Sequence, residues 1–252
     1  MDDSYSDISR LFGIELNTVS TAEFLDVLFQ WVEKNHQRNR FITYLNAHCA
    51  NVYFKDKQYA DIVDKADLVY ADGQAVVWAA RFLGQPLPER VNAGDFFLKF
   101  LKRCAREKKS VYFLGSYPRV VDKLQKKLLQ IIPDLKIAGF HHGFFKNEES
   151  QEIIENIKKS GASFVLTGMG VPLQEKFAWN HLMKSRCPVI WCVGALFEYY
   201  AGETPRAPVW MRKAGLEWLF RLLVEPKRMW KRYIIGNIIF IFRTLHFKYF
   251  RK

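Results

Sequence analysis

Asp72 ends the apolar stretch Leu68-Val69-Tyr70-Ala71 and is followed by Gly73 and a helical pattern. A carboxylate at such a junction has two uses. It can cap the helix by accepting from the first free N–H groups. It can also act as a general base at a pocket mouth, if partial desolvation lifts its pKa toward the working pH. Downstream, Glu89-Arg90-Val91 and Asp95 bring a guanidinium into a loop that can return to the same edge. The planar fork of Arg90 suits a diphosphate; a surface ion pair with Glu89 is the alternative. Two loops, Gly115-Ser116-Tyr117-Pro118 and Gly168-Met169-Gly170-Val171-Pro172, run from strand through glycine to a proline suited to a first helical turn. Such loops let a backbone approach a ligand and offer free N–H groups to a phosphate. The dinucleotide run GxGxxG and the P-loop run GxxxxGKS/T are both missing, which argues against those two sites. No Asp-x-Asp pair exists to hold a divalent ion, so charge on a departing phosphate must be met by protein cations and N–H groups. The neighbours His141 and His142 face opposite sides of a strand and read as structural or pocket-edge residues.

These side chains need a scaffold that brings strand ends together. Six short runs rich in β-branched and aromatic residues read as strands: 41–45, 67–70, 110–115, 135–140, 162–168 and 188–194. Helical patterns alternate with them over 21–34 (behind a Ser20/Glu23 capping box), 72–83, 95–107, 118–131, 148–159 and 172–185. The alternation predicts an α/β fold, with a mostly parallel Rossmann-like sheet and helices on both faces. Ligands of such sheets collect beyond the carboxyl ends of the strands.

Charge divides the chain unevenly. Of the net +12, residues 206–252 carry twelve Lys and Arg against only Glu217 and Glu225, whereas residues 1–205 are nearly neutral. The expected organisation is therefore a catalytic α/β domain, 1–205, and a cationic helical appendage, 206–252. A cationic arm meets an anionic surface, either a membrane leaflet or nucleic acid. The segment GLEWLFRLLV reads as one helix that stops before Pro226, which opens a second. In the second, Lys227, Arg228, Lys231 and Arg232 are spaced for one flank, and Trp230, Ile234, Ile238 and Ile241 or Phe242 for another. That is the pattern of a helix lying in a bilayer interface. The longest apolar candidate, 233–242, is shorter than the ~20 residues that span a bilayer. No signal-peptide pattern opens the chain, so a cytosolic location is expected. Cys49, Cys104, Cys187 and Cys192 lack metal-site spacing and read as buried thiols.

A longer, ordered set of motifs resembles the WecG/TagA/CpsF glycosyltransferase family. It comprises Leu45-Asn46-Ala47, Ala71-Asp72-Gly73, Glu89-Arg90-Val91 with Gly94-Asp95, and Gly168-x-Gly170-x-Pro172-x-Gln174-Glu175-Lys176. The Val76-Val77-Trp78 helix, Val193-Gly194 with Ala201-Gly202, Arg206-Ala207-Pro208-x-Trp210, Gly215-Leu216-Glu217-Trp218 and Glu225-Pro226-x-Arg228-x-Trp230-x-Arg232-Tyr233 complete it. The resemblance implies a metal-independent, inverting transferase without a cofactor. Such an enzyme takes a sugar from a UDP-sugar to a polyprenyl-diphosphate-linked saccharide, peripherally, on the cytoplasmic face of a bacterial membrane. It implies Asp72 as the base and a substrate pocket of Tyr44, Asn46, Arg90, Asp95, Gly168, Gly170, Gln174 and Gly194. Arg206, Arg221, Arg228, Lys231, Arg232 and Trp230 would face the diphosphate and the membrane. Tyr44 stands where many relatives carry threonine. Thr43, one residue away, must face the other side of its strand, so the donor sugar stays open among N-acetylmannosamine, a uronic acid and a hexose. A nucleic-acid binder and a non-catalytic membrane scaffold are the alternatives from other classes; the first leaves Asp72 and Gln174 without a task. Oligomeric state is open, since an exposed apolar tail also favours self-association.

Overall fold

The computed structural model describes residues 7–34 and 38–250. The chain opens with an antiparallel hairpin, β1 (Ile8–Leu11) and β2 (Ile14–Asn17). Phe12 and Gly13 at its tip both have positive φ, the twist-matched geometry of a two-residue turn. The sequence reading does not anticipate this hairpin, because each strand has four residues and a phenylalanine takes a left-handed position that glycine or asparagine would advertise.

Then follow α1 (Thr21–Glu33), β3 (Arg40–Leu45), α2 (Ala47–Tyr53), α3 (Lys57–Val63), β4 (Leu68–Ala71) and α4 (Gln74–Phe82). Next are α5 (Ala93–Arg106), β5 (Val111–Gly115), α6 (Pro118–Ile131), β6 (Ile137–His141) and α7 (Ser150–Ser160). The body closes with β7 (Phe164–Gly168), α8 (Leu173–His181), β8 (Val189–Cys192) and α9 (Leu196–Ala201). Strands β3 to β8 form one parallel sheet in the order β4-β3-β8-β7-β5-β6. The expected α/β class and parallel sheet are observed. The Ser20/Glu23 capping box opens α1, and Pro118 opens α6.

Alternation along the strands builds two cores. Phe164 and Leu166 of β7 and Val189 and Trp191 of β8 pack with Phe24 and Phe29 of α1 and Phe96 and Phe100 of α5. Val165, Ile190 and Cys192 point the other way, to Ile62 of α3, Ile153 and Ile157 of α7 and Phe177 of α8. The two-residue period of the strand is thus what puts helices on both faces. All four cysteines are buried and unbridged.

The C-terminal stretch is helical: α10 (Val209–Lys213), α11 (Glu217–Val224), α12 (Pro226–Trp230), a π-helical turn over Lys231–Ile235, and α13 (Gly236–Phe250). Pro226 opens α12, where its missing N–H costs nothing. Helix α13 lies on the body through Gly236, Phe240 and Thr244, a buried stripe at four-residue spacing. Phe240 meets Phe12 edge-on with ring centres 5.4 Å apart. Asn51 donates to the Gly236 carbonyl at 2.7 Å and accepts from Arg243 at 2.7 Å. The opposite side of the tail exposes Trp230, Ile234, Ile238, Ile241, Phe242 and Leu245. None of the described helices is long and apolar enough to cross a membrane.

Candidate active site

The chain leaves β3 outward to β4, while β8 is reached from β7 on the other side. A crevice opens beyond the carboxyl ends of the adjacent strands β4, β3 and β8. A cavity of about 240 Å³ occupies it. Strand ends supply Tyr44, Asn46, Asp72, Gly170 and Gly194; the loop before α5 supplies Arg90 and Asn92. The C-terminal helices close the far side with Glu217, Trp218, Arg221, Arg228, Arg232 and Tyr233. Its charged lining is four arginines against two carboxylates, Asp72 and Glu217.

Asp72 faces this cavity half-buried. It is not the cap of α4: that place is taken by Gly73, and the helix has no side-chain cap at all. Its carboxylate accepts instead from Asn92 Nδ2 at 2.9 Å and, through the other oxygen, from Asn46 Nδ2 at 3.4 Å. Burial pushes its pKa from the ordinary 3.8 to about 6, with Glu217 adding to the rise and Arg90, Asn46 and Arg232 opposing it. Gly73 is required beside it, because a Cβ there would stand 2.8 Å from the Cβ of Asn46. Asn46 is held by a second bond, accepting from the Cys49 N–H at 3.0 Å as the cap of α2. His48 lines the same wall; burial and the nearby Arg232 and Lys55 depress its pKa to about 4, so it is neutral near pH 7.

Behind that wall lies a buried polar layer. Gln174 is fully buried and does not line the cavity. It donates to Glu175 at 2.7 Å and accepts from the Gly194 N–H at 3.0 Å, with Tyr44 Oη 3.4 Å from its Nε2. Gly194 has φ +59, and a Cβ on it would fall 2.5 Å from the Tyr44 hydroxyl, so its bareness makes room for that ring. Thr43 points away from the cavity and donates to Glu175 at 3.1 Å, while Tyr44 lines the cavity. Burial raises the Glu175 pKa to about 7. Gly168 also lies below the cavity wall, its carbonyl accepting from the Ser116 N–H at 2.9 Å.

The remaining sequence candidates divide between cavity and support. Arg90 lines the cavity but is held by Asp95 at 2.7 Å and Glu217 at 3.2 Å. Asp95 lies outside the lining and gathers Arg90, Arg206 and Arg212. Arg206 also lies behind the lining, its guanidinium occupied by Glu217, Asp95, Asn92 and the Gly94 carbonyl. Arg221 and Arg228 share Glu225, at 3.5 Å and 3.0 Å. Arg232 lines the cavity and has no carboxylate partner among the described residues. Lys231 and Trp230 are exposed outside it, the ammonium 5.5 Å from the indole centre. The sequence patterns do not mark Asn92, His48 or Glu217 as site residues, although Glu217 falls in the Gly215-Leu216-Glu217-Trp218 motif. Asn92 sits between Arg90 and Asp95 in a quoted motif, and its amide in a loop is the only signal. Beyond the cavity, on the same sheet edge, Tyr117 and Phe144 stack at 4.4 Å and are both exposed.

Fold and cavity together define an α/β protein with an arginine-lined crevice beyond its strand ends. The chain belongs to the Glycosyl transferase WecG/TagA/CpsF family, whose sequence model matches residues 9–252, and it is a glycosyltransferase. It is 28% identical over 219 residues to the N-acetylglucosaminyldiphosphoundecaprenol N-acetyl-beta-D-mannosaminyltransferase of Staphylococcus aureus strain COL, covering 87% of this chain and 85% of that protein. The same-named protein of strain MRSA252 is 27% identical over the same shares.

Proposed function

We propose that the protein transfers a sugar, with inversion and without a metal, from a UDP-sugar to a polyprenyl-diphosphate-linked saccharide. The work would be done at the cytoplasmic face of a bacterial membrane. The observation that carries this reading is the half-buried Asp72 carboxylate, held by two amides and by no cation among the described residues, in a cavity lined by four arginines. With a pKa near 6, Asp72 is mostly ionised at pH 7 yet basic enough to take a proton from a hydroxyl. The acceptor O–H gives its proton to Asp72 as its oxygen forms a bond to the anomeric carbon from the face opposite the nucleotide. The bond between that carbon and the phosphate oxygen breaks, and its electron pair leaves on UDP. Arg232 and Arg221, with the uncapped N–H groups at the start of α4, would meet that charge. Asp72 then releases its proton to water.

The names of the relatives favour N-acetylmannosamine as the sugar and a diphosphoundecaprenol-linked N-acetylglucosamine as the acceptor. UDP-N-acetylmannosamine is therefore the first donor to test. The expected result is UDP release with a lipid-linked disaccharide of the added mass. UDP release without that lipid product, or no turnover with any UDP-sugar, would sink the reading.

The exposed stack of Tyr117 and Phe144 offers a face for a nucleobase, which aromatic rings bind for about 1–3 kcal/mol per base. Replacing both by alanine is expected to raise KM for the donor roughly tenfold or more, the equivalent of that loss, with little change in KM for the lipid acceptor. Separate titrations of the two substrates check it, and an unchanged donor KM would remove the platform from the account.

The outer face of α13 supports the membrane assignment. Its exposed isoleucines and Phe242 need a cover, and the surrounding Lys and Arg side chains are each worth about 1 kcal/mol near an anionic leaflet. Changing Ile238, Ile241 and Phe242 to serine should lower partition onto anionic vesicles by roughly a hundredfold, at about 1 kcal/mol each. The stripe that packs on Phe12 is untouched by these changes. Flotation reads this directly; undiminished flotation, or competition by oligonucleotides, would count against a lipid-facing tail.

A further inference from the structure

Asn92 occupies the N-cap position of α5, where asparagine ordinarily bonds the helix N–H groups, yet its side chain makes no cap bond. Both ends of its amide are committed elsewhere. Nδ2 donates to Asp72 Oδ1 at 2.9 Å, and Oδ1 accepts from Arg206 Nη2 at 2.9 Å. An arginine has only donors, so Arg206 dictates the orientation of this amide, and only its nitrogen is left to face Asp72. Arg206 is in turn held by Glu217, the first residue of α11, at 3.2 Å and by Asp95 at 2.9 Å. Asn46 touches the same carboxylate at the longer 3.4 Å and already serves as the cap of α2.

We propose that Asn92 is a positioning residue: it holds one oxygen of Asp72, turns the other toward the acceptor hydroxyl, and does so because Arg206 locks its amide. The seating of the segment from Arg206 to Glu217 is thereby felt at the carboxylate, in addition to any contact the C-terminal arginines make with phosphate. The proposal rests on Asp72 being the base.

The test is the pH dependence of kcat for full-length protein on anionic vesicles. The charges facing Asp72 are Arg90 from the loop before α5, Glu217 from α11 and Arg232 from the π-helical turn. The titratable neighbours are His48 and Cys49 of α2, Tyr44 of β3 and Tyr70 of β4. All of these remain when Asn92 is changed. Asn92→Ala removes a donor to the ionised form, so the acid limb of kcat should move up by about one pH unit. Loss of aim should lower kcat roughly 10- to 100-fold, with both KM values little changed. Asn92→Asp keeps the size and the bond from Arg206 but adds a like charge, so its limb should move further; it also serves if Asn92→Ala folds poorly. Arg206→Ala should shift the limb in the parent and shift it no further in Asn92→Ala. Limbs that stay where the parent has them in both Asn92 variants overturn the proposal, as does an Arg206→Ala shift of equal size with and without Asn92. The reading of the base fails separately, if Asp72→Asn turns over at the parental rate. With Asp72→Asn inactive and the Asn92 limbs unmoved, the base stands and the positioning role falls.

Discussion

Asp72→Asn is expected to lower turnover by roughly a thousandfold while making the fold more stable at neutral pH. The loss follows from removing the proton acceptor: an amide cannot take the hydroxyl proton, but it keeps the size of the side chain and hence the cavity. The gain follows from the same burial that makes the carboxylate useful. Its pKa is raised from 3.8 to about 6 in the folded chain. Between those two values the folded protein holds a proton that the unfolded chain has released, so stability falls as pH climbs through that window and stays lower above it. An asparagine has no such penalty. At pH 7 the variant should be more stable by about 2–3 kcal/mol, at most, equivalent to a melting point higher by roughly 5 °C. Near pH 4 most of that difference should vanish. Denaturation of both proteins at the two pH values, beside a UDP-release assay, checks both halves. A variant that is inactive and also destabilised at pH 7 would make Asp72 a structural residue.

On the proposed mechanism Arg232→Ala should cost a hundredfold or more in kcat, because the lost cation would face the departing diphosphate in a site partly shielded from water. Among the described residues it is the cavity arginine with no carboxylate partner, whereas Arg90 is held by Asp95 and Glu217, and Arg221 and Arg228 by Glu225. Its loss would also remove one charge from the tail proposed to face lipid, so membrane binding must be separated from chemistry. Lys227 supplies the control: it is exposed and lies outside the cavity lining. Lys227→Ala should weaken binding to anionic vesicles about fivefold and leave kcat at saturating lipid unchanged. If Arg232→Ala behaves like Lys227→Ala at saturating lipid, the arginine serves the membrane and not the leaving group.

Much of this arrangement is legible in the sequence. Strands β3 to β8 announce themselves through β-branched and aromatic runs that end in glycine or a helix signal, and α6 runs from Pro118 to Ile131 as its pattern requires. Position along a strand also gave the opposed directions of Thr43 and Tyr44, since side chains alternate. What stayed hidden depends on contacts between residues far apart in the chain. The Gln174 motif reads as pocket lining, yet its side chain is drawn into a buried layer by Glu175 and the Gly194 N–H. Arg206 reads as a phosphate ligand but is surrounded by Asp95, Glu217 and Asn92, which no local pattern assembles. Helices α2 and α3 have seven residues each, too few for a periodic stripe to stand out. The exposed apolar face of α13 was legible, because isoleucines beside basic residues conflict with a helix that packs on one side only.

The central claim is that proton transfer to Asp72 and charge neutralisation by the C-terminal arginines occur in one cavity, on one substrate pair. The most direct measurement is single-turnover UDP release by the unaltered full-length protein on anionic vesicles carrying the lipid-linked acceptor, followed from pH 4.5 to 8. The rate should rise through one ionisation near pH 6, matching the buried carboxylate, and then level off. A rate that is flat across this range, or that keeps rising above pH 7, would contradict the account.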